Sequence, residues 1–213
     1  MLKIIICDDH PVFRRGTRDV VNEHLSPVTI GEAENGQELL ALISQRTWDL
    51  CIMDVSMPEK SGTDLLQEIL RVRPFMPVLV LSMHPEKMYA VRMIRAGASG
   101  YLNKSTTQPA LLVEAIKSVV AGHKFFTPLV AECLAATIRT NPEHRSAPHE
   151  LLSNRELQFF EMLAAGKQIK DIAGQLYVSP ATVSTYRARV LQKLGFESNA
   201  DLIRYAIERS LIV

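Results

Sequence analysis

Five short apolar segments alternate with helical segments through residues 1–122 of this chain. The apolar runs lie at Leu2–Cys7, Val28–Ala33, Leu50–Met53, residues 78–81 and residues 100–102. The first of them, Leu2–Cys7, is typical of a strand buried on both faces of a parallel sheet. Between them, apolar residues recur at helical spacing. Five strands alternating with five helices predict an α/β fold, a doubly wound five-stranded parallel sheet.

Composition is consistent with a folded protein without disulfide bonds. Of the 213 residues, 47% are hydrophobic and 22% are charged, which is enough apolar material for a buried core. Cys7 and Cys51 lie inside apolar runs, so we expect small buried hydrophobic side chains. We find no signal peptide and no apolar run long enough to span a bilayer, which predicts a soluble, cytoplasmic protein without membrane contact. The net charge is only +1, so a nucleic-acid site would have to be local.

Polar residues follow the predicted strands. Asp8 and Asp9 follow the first strand, Asp54 the third, Ser82 the fourth and Lys104 the fifth. Because the carboxyl ends of parallel strands meet at one edge of a sheet, we expect these side chains to share a crevice. Three carboxylates there would repel each other unless they share a cation, and hard oxygen ligands suit Mg²⁺.

This crevice has the chemistry for phosphoryl transfer. A carboxylate such as Asp54 can be the nucleophile and form an aspartyl-phosphate. The ammonium of Lys104 and the hydroxyl of Ser82 would then contact the added phosphoryl group. Any one of these residues alone would be an ordinary cap, turn or surface residue. Their joint occurrence at the ends of four strands favours the functional interpretation.

These motifs resemble the receiver domain of bacterial two-component response regulators. The matching segments are Asp8-Asp9-His10-Pro11, Met53-Asp54-Val55-Ser56-Met57-Pro58 with Gly62, Leu81-Ser82, and Gly100-Tyr101-Leu102-Asn103-Lys104. The resemblance implies that Asp54 is the phosphoacceptor. It also implies Mg²⁺ bound by Asp9, Asp54 and the backbone carbonyl of Ser56, with Asp8 acting through water.

The same resemblance assigns a switch. Ser82 and Tyr101 match the pair that repositions on phosphorylation, with Tyr101 swinging inward, and Lys104 matches the lysine that holds a phosphoryl oxygen. Ser105 stands where many receivers have proline, which leaves the isomer of the preceding peptide bond open.

A connector and a second domain follow. Residues 128–138 are apolar enough for one more helix, and residues 140–148 are polar with two prolines, which is typical of a linker. We predict a receiver domain at 1–122, a connector helix and linker at 123–149, and a helical domain at 150–213.

The helical domain has the pattern of a helix-turn-helix. Ser153–Glu156 has the pattern of a capping box at the start of the first helix, and Gly166 is expected to end this helix. A short second helix leads through a tight turn at residues 177–178 to Ser179-Pro180, an N-cap and N1 proline. The third helix, residues 181–194, is expected to bury an apolar face made of Val183, Tyr186, Val190, Leu191 and Leu194. Ser198-Asn199 caps a fourth helix.

Small and polar residues on the other face of the third helix suit the DNA major groove. Ser184, Thr185 and Ala188 are expected to read base edges, whereas Arg187, Arg189 and Lys193 neutralise phosphates. An ordinary four-helix module that binds protein is the alternative, because a solvated face can also carry three cations.

The second domain also resembles a known family, the LuxR-type helix-turn-helix. The segments that carry this resemblance are Leu152–Glu156, 165–167, 170–173, 178–183 and Lys193-Leu194. Tyr186 and Gln168-Ile169 depart from the commonest pattern. Joined to a receiver, such a domain makes the NarL/FixJ class, which implies a sensor histidine kinase, promoter DNA and a homodimer on phosphorylation. The fourth helix, around residues 202–207, is the expected dimer contact. The residues expected at the DNA are Lys170, Ser179, Thr182, Ser184, Thr185, Arg187, Ala188, Arg189 and Lys193.

A phosphorylation-controlled transcription regulator has three alternatives: a phosphatase, a nucleotide-binding domain and a receiver that works by protein contacts alone. A phosphatase with an aspartate nucleophile would carry a second aspartate two residues after the first, whereas Ser56 follows Asp54 at that distance. A nucleotide-binding domain would need a glycine-rich loop after the first strand. A receiver that works by protein contacts alone would not need the intact acidic set. We expect no enzyme activity apart from Mg²⁺-dependent phosphorylation and dephosphorylation of the chain itself.

Overall fold

A five-stranded, wholly parallel sheet forms the centre of the N-terminal part of the chain. The strands run in the order β2-β1-β3-β4-β5. They are β1 (Leu2–Cys7), β2 (Val28–Ala33), β3 (Leu50–Met53), β4 (Val78–Ser82) and β5 (Gly100–Asn103). The predicted doubly wound sheet is therefore confirmed, with β4 and β5 each one residue longer than expected.

The computed structural model describes residues 1–57, 62–139, 148–209 and 211. The chain divides into two compact units, Met1–Ile138 and Arg139–Val213. The predicted linker lies almost wholly outside the described residues, because they resume at Pro148 in a short 3-10 helix, Pro148–Leu151.

Five helices connect the strands of the first unit. They are α1 (Pro11–Leu25), α2 (Gly36–Gln45), α3 (Gly62–Val72), α4 (Glu86–Arg95) and α5 (Pro109–Val120). Helices α1 and α5 pack against each other over one face of the sheet, and α2 packs against α3. The core on the α1–α5 side consists of Ile4, Ile6, Val21, Leu50, Ile52, Leu79, Leu81, Leu102, Leu112, Ala115, Ile116 and Val119. Burial of such side chains fixes the register and holds the strand ends together.

The predicted connector helix, α6 (Pro128–Arg139), belongs to the first unit. The backbone N–H of Phe125 donates to the Ser99 carbonyl at 2.9 Å and forms an isolated bridge beside β5. The hydroxyl of Thr127 donates to Glu86 Oε2 at 2.5 Å, and Val130 is completely buried. The start of α6 is thereby fixed to the first turn of α4.

The second unit is helical, as predicted. It contains α7 (Asn154–Ala164), α8 (Ile169–Gln175), α9 (Pro180–Leu194) and α10 (Asn199–Glu208). Serine caps begin α7, α9 and α10, and Gly195 in the left-handed conformation ends α9.

One side chain of α9 differs from its prediction. Tyr186 is only half-buried, whereas Val183 and Val190 are completely buried. Three residues along a helix place Tyr186 about 60° around the axis from Val183, at the border of the apolar face.

The structure also shows the environment of two cysteines and the length of the helices. Cys7 and Cys51 are buried free thiols, as predicted, and burial raises the pKa of Cys51 to about 12. Within the described ranges, no helix is both long and apolar enough to cross a bilayer.

A substitution at Gly62 tests the close packing of this residue against Val55. A Cβ atom added at Gly62 would overlap the Val55 side chain and lie 2.8 Å from Val55 Cα. We expect Gly62→Ala to lower the free energy of unfolding by about 1–3 kcal/mol because of this overlap. In α1, Gly16→Ala meets no atom within 4 Å and should raise stability by about 0.5–1 kcal/mol.

Denaturant unfolding followed by Trp48 fluorescence measures this change, because the only tryptophan lies in the first unit. Equal stability of the two variants would contradict the packing argument.

Candidate functional site

Backbone hydrogen bonds place the predicted site residues at one edge of the sheet. Asp54 follows β3, and its N–H donates to the Cys7 carbonyl at 2.9 Å. Lys104 follows β5, and its N–H donates to the Ser82 carbonyl at 2.8 Å. The parallel ladder thus continues one residue beyond the strands, which fixes where each side chain starts.

Lys104 joins two of the three predicted carboxylates. Its Nζ atom lies 2.6 Å from Asp54 Oδ2 and 2.6 Å from Asp8 Oδ2. All three side chains are at most 5% exposed, and the ring of Phe13 covers the ammonium with its centroid 4.9 Å from Nζ. A buried positive charge between two carboxylates offsets their repulsion and keeps both close to Lys104.

A potential cation site adjoins this ion-pair network. Asp8, Asp9, His10 and Asp54 each offer a ligand atom, and these atoms lie within 4.8 Å of one another. Asp9 Oδ1 is buried, and among the described residues its close polar neighbour is His10 Nδ1, 2.8 Å away. A buried carboxylate oxygen with so few donors is a position that a cation would stabilise. The acidic cluster can therefore bind a metal ion.

Burial affects the pKa of Asp8. Desolvation raises the pKa of Asp8, while the Lys104 ammonium and the His10 backbone N–H, at 2.9 Å from Asp8 Oδ1, act against that rise. The guanidinium of Arg14 donates to the Asp8 backbone carbonyl at 2.7 Å and also pairs with Glu32. Hydrogen bonds to the side chain and to the backbone of Asp8 therefore both hold this residue in place at the end of β1.

Ser56 lies two residues after Asp54. Its backbone N–H donates to Asp54 Oδ1 at 2.9 Å, and its buried hydroxyl oxygen has no hydrogen bond to any described residue. Each carboxylate oxygen of Asp54 therefore has one donor, Ser56 on one side and Lys104 on the other.

The predicted switch residues lie on β4 and β5. Ser82 is completely buried, and its hydroxyl oxygen accepts the His84 N–H at 3.2 Å. Tyr101 is also completely buried, and its hydroxyl donates to the His84 carbonyl at 2.9 Å. Tyr101 was expected to swing inward on phosphorylation. In this structure it is already inward, and the His84 carbonyl accepts the hydrogen of its hydroxyl.

The second unit contains the predicted helix-turn-helix. Tyr177 adopts a left-handed backbone conformation with φ of 54°, and Val178 N–H donates to the Ala173 carbonyl. Ser179 then caps α9 by accepting the Thr182 N–H at 3.1 Å. The residues exposed on α8, the turn and α9 that were predicted to meet DNA are Lys170, Ser179, Ser184, Thr185, Ala188, Arg189 and Lys193, whereas Thr182 and Arg187 are half-buried.

Two of the three predicted phosphate-binding cations make contacts within the second unit. Arg187 Nε donates to Asn199 Oδ1 at 2.7 Å, and Lys193 Nζ lies 2.6 Å from Glu156 Oε2. Arg189 is exposed and has no ion pair or hydrogen bond within the described ranges. Arg187 and Lys193 therefore hold α9 against α10 and α7, and binding a phosphate would compete with these contacts.

Glu156 is the acid at the centre of that packing. It accepts the Ser153 N–H at 2.7 Å and completes the predicted capping box. Burial acts to raise its pKa, but the Lys193 ammonium and the Ser153 hydrogen bonds outweigh burial and leave the pKa below its usual value.

The two units match two family models. Residues 4–117 match the response regulator receiver domain, and residues 150–206 match the bacterial regulatory proteins of the luxR family. The receiver match alone covers more than half of the chain. The chain belongs to the NarL/FixJ class of response regulators.

Relatives of this response regulator are similar along their whole length. The response regulator GacA of Pseudomonas aeruginosa is 31% identical over 212 residues, covering 100% of this chain and 98% of the relative. UvrY of Escherichia coli is 31% identical, covering 99% and 96%. RcsB of Salmonella enterica serovar Typhimurium, solved on promoter rprA with the phosphomimetic BeF3-, superposes with a TM-score of 0.64. That match has 25% sequence identity and covers 96% of this chain and 98% of RcsB.

Sequence reasoning did not identify three contacts of this response regulator. His10 joins the acidic cluster, although only its place in the Asp8–Pro11 motif signalled it. Asn103 donates to the loop after β4, and Glu156 pairs with Lys193, 37 residues away. No periodicity in the sequence signals these last two pairs.

The lowered pKa of Glu156 gives a pH-dependent prediction. A carboxyl whose folded-state pKa is depressed stabilises the fold above its unfolded pKa, and this effect is lost as pH falls through the folded pKa. At pH 7, Glu156→Gln should therefore cost the second unit about 1–2 kcal/mol. Below the folded-state pKa, which is lower than 4.5, the variant and the unchanged protein should be about equally stable.

Hydrogen exchange of the α7 backbone amides measures this local stability at both pH values. Glu208→Gln, at an exposed position of α10, is the matched control and should change nothing. A stability difference for Glu156→Gln that is the same at both pH values would contradict the assignment.

Proposed function

We propose that this response regulator is phosphorylated on Asp54, and that phosphorylation controls DNA binding by the second unit. The observation that carries the proposal is the buried ammonium of Lys104, 2.6 Å from a carboxylate oxygen of Asp54. A cation in this position can stabilise negative charge on a phosphoryl group bound to Asp54. At the same strand edge, the O–H of Ser82 can donate to that group.

The chemical step is a displacement at phosphorus. A carboxylate oxygen of Asp54 forms a bond to phosphorus, and the bond from phosphorus to the donor breaks. The donor is the phosphohistidine of a sensor histidine kinase or a small acyl phosphate, and it leaves with the bonding electron pair. Lys104 and Ser56 N–H, which already contact the two Asp54 oxygens, orient the carboxylate for this attack.

We propose Mg²⁺ as the cation of the acidic cluster. Asp9, Asp54 and the Ser56 carbonyl would hold it directly, and Asp8 would act through water. The buried Asp9 Oδ1, whose close neighbour within the described residues is the His10 ring, supports this set, as does the hard-oxygen character of its ligands. When bound, the ion neutralises charge on the phosphoryl oxygens during transfer.

The output is proposed to be sequence-specific binding of promoter DNA by a homodimer. Solved structures of RcsB show it bound to promoter DNA and as dimers on DNA, which supports the same arrangement here. In α10, Leu202 and Ala206 are buried within the unit, so a dimer contact there would use the exposed Ile207 instead. A target on DNA and a kinase donor fit a cytoplasmic protein.

We propose that three segments have separate functions, with the domain boundaries expected from the sequence. Residues 1–122 receive the phosphoryl group, residues 123–149 connect, and residues 150–213 bind DNA. Family matches at 4–117 and 150–206, one within each outer segment, support this division.

Labelling with acetyl phosphate tests the phosphoacceptor. We expect intact-mass measurement to detect one phosphoryl adduct on the unchanged chain with Mg²⁺, and none on Asp54→Asn, which lacks the nucleophilic oxygen. The exposed Asp19→Asn is a matched control and should be labelled normally. Full labelling of Asp54→Asn, or of the unchanged chain in EDTA, would refute the proposal.

Salt dependence tests the DNA face. Among the described residues, Arg189 makes no ion pair or hydrogen bond that would compete with phosphate. Arg189→Ala should therefore lower the slope of log binding constant against log salt by about one. Its effect should be equal on specific and random duplexes. Thr185→Ala should instead change which sequence is preferred, because its side chain faces base edges. If Arg189→Ala altered sequence preference and left the slope unchanged, the assigned roles would be wrong.

A further inference from the structure

The side-chain amide of Asn103, the last residue of β5, connects two loops beside the proposed phosphorylation site. Its Nδ2 atom donates to the His84 carbonyl at 2.9 Å and to the Met83 carbonyl at 3.4 Å. Its Oδ1 atom accepts the Ser105 N–H at 2.8 Å and the Ser105 hydroxyl at 2.5 Å. Both N–H groups and both lone pairs of the amide are therefore used.

Asn103 shares one acceptor with Tyr101. The Tyr101 hydroxyl and the Asn103 amide each donate to the His84 carbonyl at 2.9 Å. Both donors lie on β5, whereas the acceptor lies in the loop between β4 and α4. This pair of bonds fixes the loop to the strand that ends at Lys104.

The same loop residue contacts the hydroxyl of Ser82. His84 N–H donates to Ser82 Oγ at 3.2 Å, so one lone pair of that oxygen is occupied. The Ser82 O–H hydrogen then remains a donor for a phosphoryl oxygen. The ring of His84 stacks on Tyr89 of α4, with centroids 4.2 Å apart, which further fixes the loop.

We infer that Asn103 is a positioning residue that acts on Ser82 through His84, with Tyr101 as a second, partly redundant donor. The effect on Ser82 rests on the proposed function, whereas the fixing of the loop does not. Because either donor alone still bonds the part-buried His84 carbonyl, the larger cost arises only when both donors are lost. Loss of Tyr101 alone therefore does not release the loop.

Hydrogen exchange of the unphosphorylated, full-length chain tests the fixing of the loop. Tyr101→Phe and Asn103→Ala should each accelerate exchange of amides in residues 83–89 by about threefold. The double variant should accelerate it at least thirtyfold, well above the product of the two single effects. Ser105→Ala is the matched control, because it leaves both bonds to His84 intact and should leave exchange in residues 83–89 unchanged.

If Asn103→Ala does not fold, Asn103→Asp serves in its place. It preserves the side-chain size and the bonds from Ser105 but loses the donors to His84. A double variant whose effect equals the product of the single effects would overturn the shared-acceptor argument. So would loop exchange as slow in the double variant as in the unchanged chain.

Labelling kinetics test whether the loop acts through Ser82. With acetyl phosphate and Mg²⁺, each single variant should be labelled within about twofold of the normal rate, and the double variant about tenfold more slowly. In a Ser82→Ala background, adding the double change should slow labelling no further, because the hydroxyl it orients is gone. A general structural defect would slow labelling equally in both backgrounds, and that result would refute the inferred role.

Failure of this inference is distinguishable from failure of the proposed function. If Asp54 is not the phosphoacceptor, Asp54→Asn is labelled like the unchanged chain. If only the inference fails, Asp54→Asn is unlabelled and the Asn103 and Tyr101 variants show additive exchange.

Discussion

The ion-pair network of Lys104 with Asp54 and Asp8 is the interaction on which the rest of the first unit depends. Three charged side chains are removed from water, and burial of this kind is tolerated only when opposite charges and hydrogen bonds compensate for it. The parallel sheet supplies that compensation, because strands distant in the sequence end side by side. The arrangement of the strands is therefore needed for the ion pairs as well as for the topology, because it brings Lys104, Asp54 and Asp8 together.

Much of the fold could be predicted from sequence periodicity. The apolar runs predicted each strand to within one residue, most directly for β3, β4 and β5, because strands buried on both faces tolerate few polar residues. Asp8, Asp54 and Lys104 could be placed in one crevice because parallel strands have a common polarity. What the sequence could not determine was the partner of each charge: that Lys104 contacts Asp8 as well as Asp54 depends on side-chain conformations and packing.

The second unit shows the same limit more clearly. The capping box of α7 is a local pattern and was predicted from four consecutive residues. The ion pair between its glutamate, Glu156, and Lys193 joins residues far apart in the sequence, and it changes the role of the lysine. A cation on the outer face of a predicted helix can stabilise the domain, bind phosphate or do both, and only its tertiary partner separates these roles.

The hydroxyl groups on the outer face of α9 have a consequence for recognition. Ser184 and Thr185 each donate their hydroxyl hydrogen to a carbonyl one turn earlier, at 3.0 Å and 3.1 Å. As long as these bonds persist, each oxygen can offer a base only a lone pair. In the major groove, the partners for a lone pair are the exocyclic amino groups of adenine and cytosine, whereas the oxygen atoms of guanine and thymine offer no hydrogen. Because carbonyls of the helix backbone occupy both hydroxyl hydrogens, these two side chains can recognise only bases that donate a hydrogen bond.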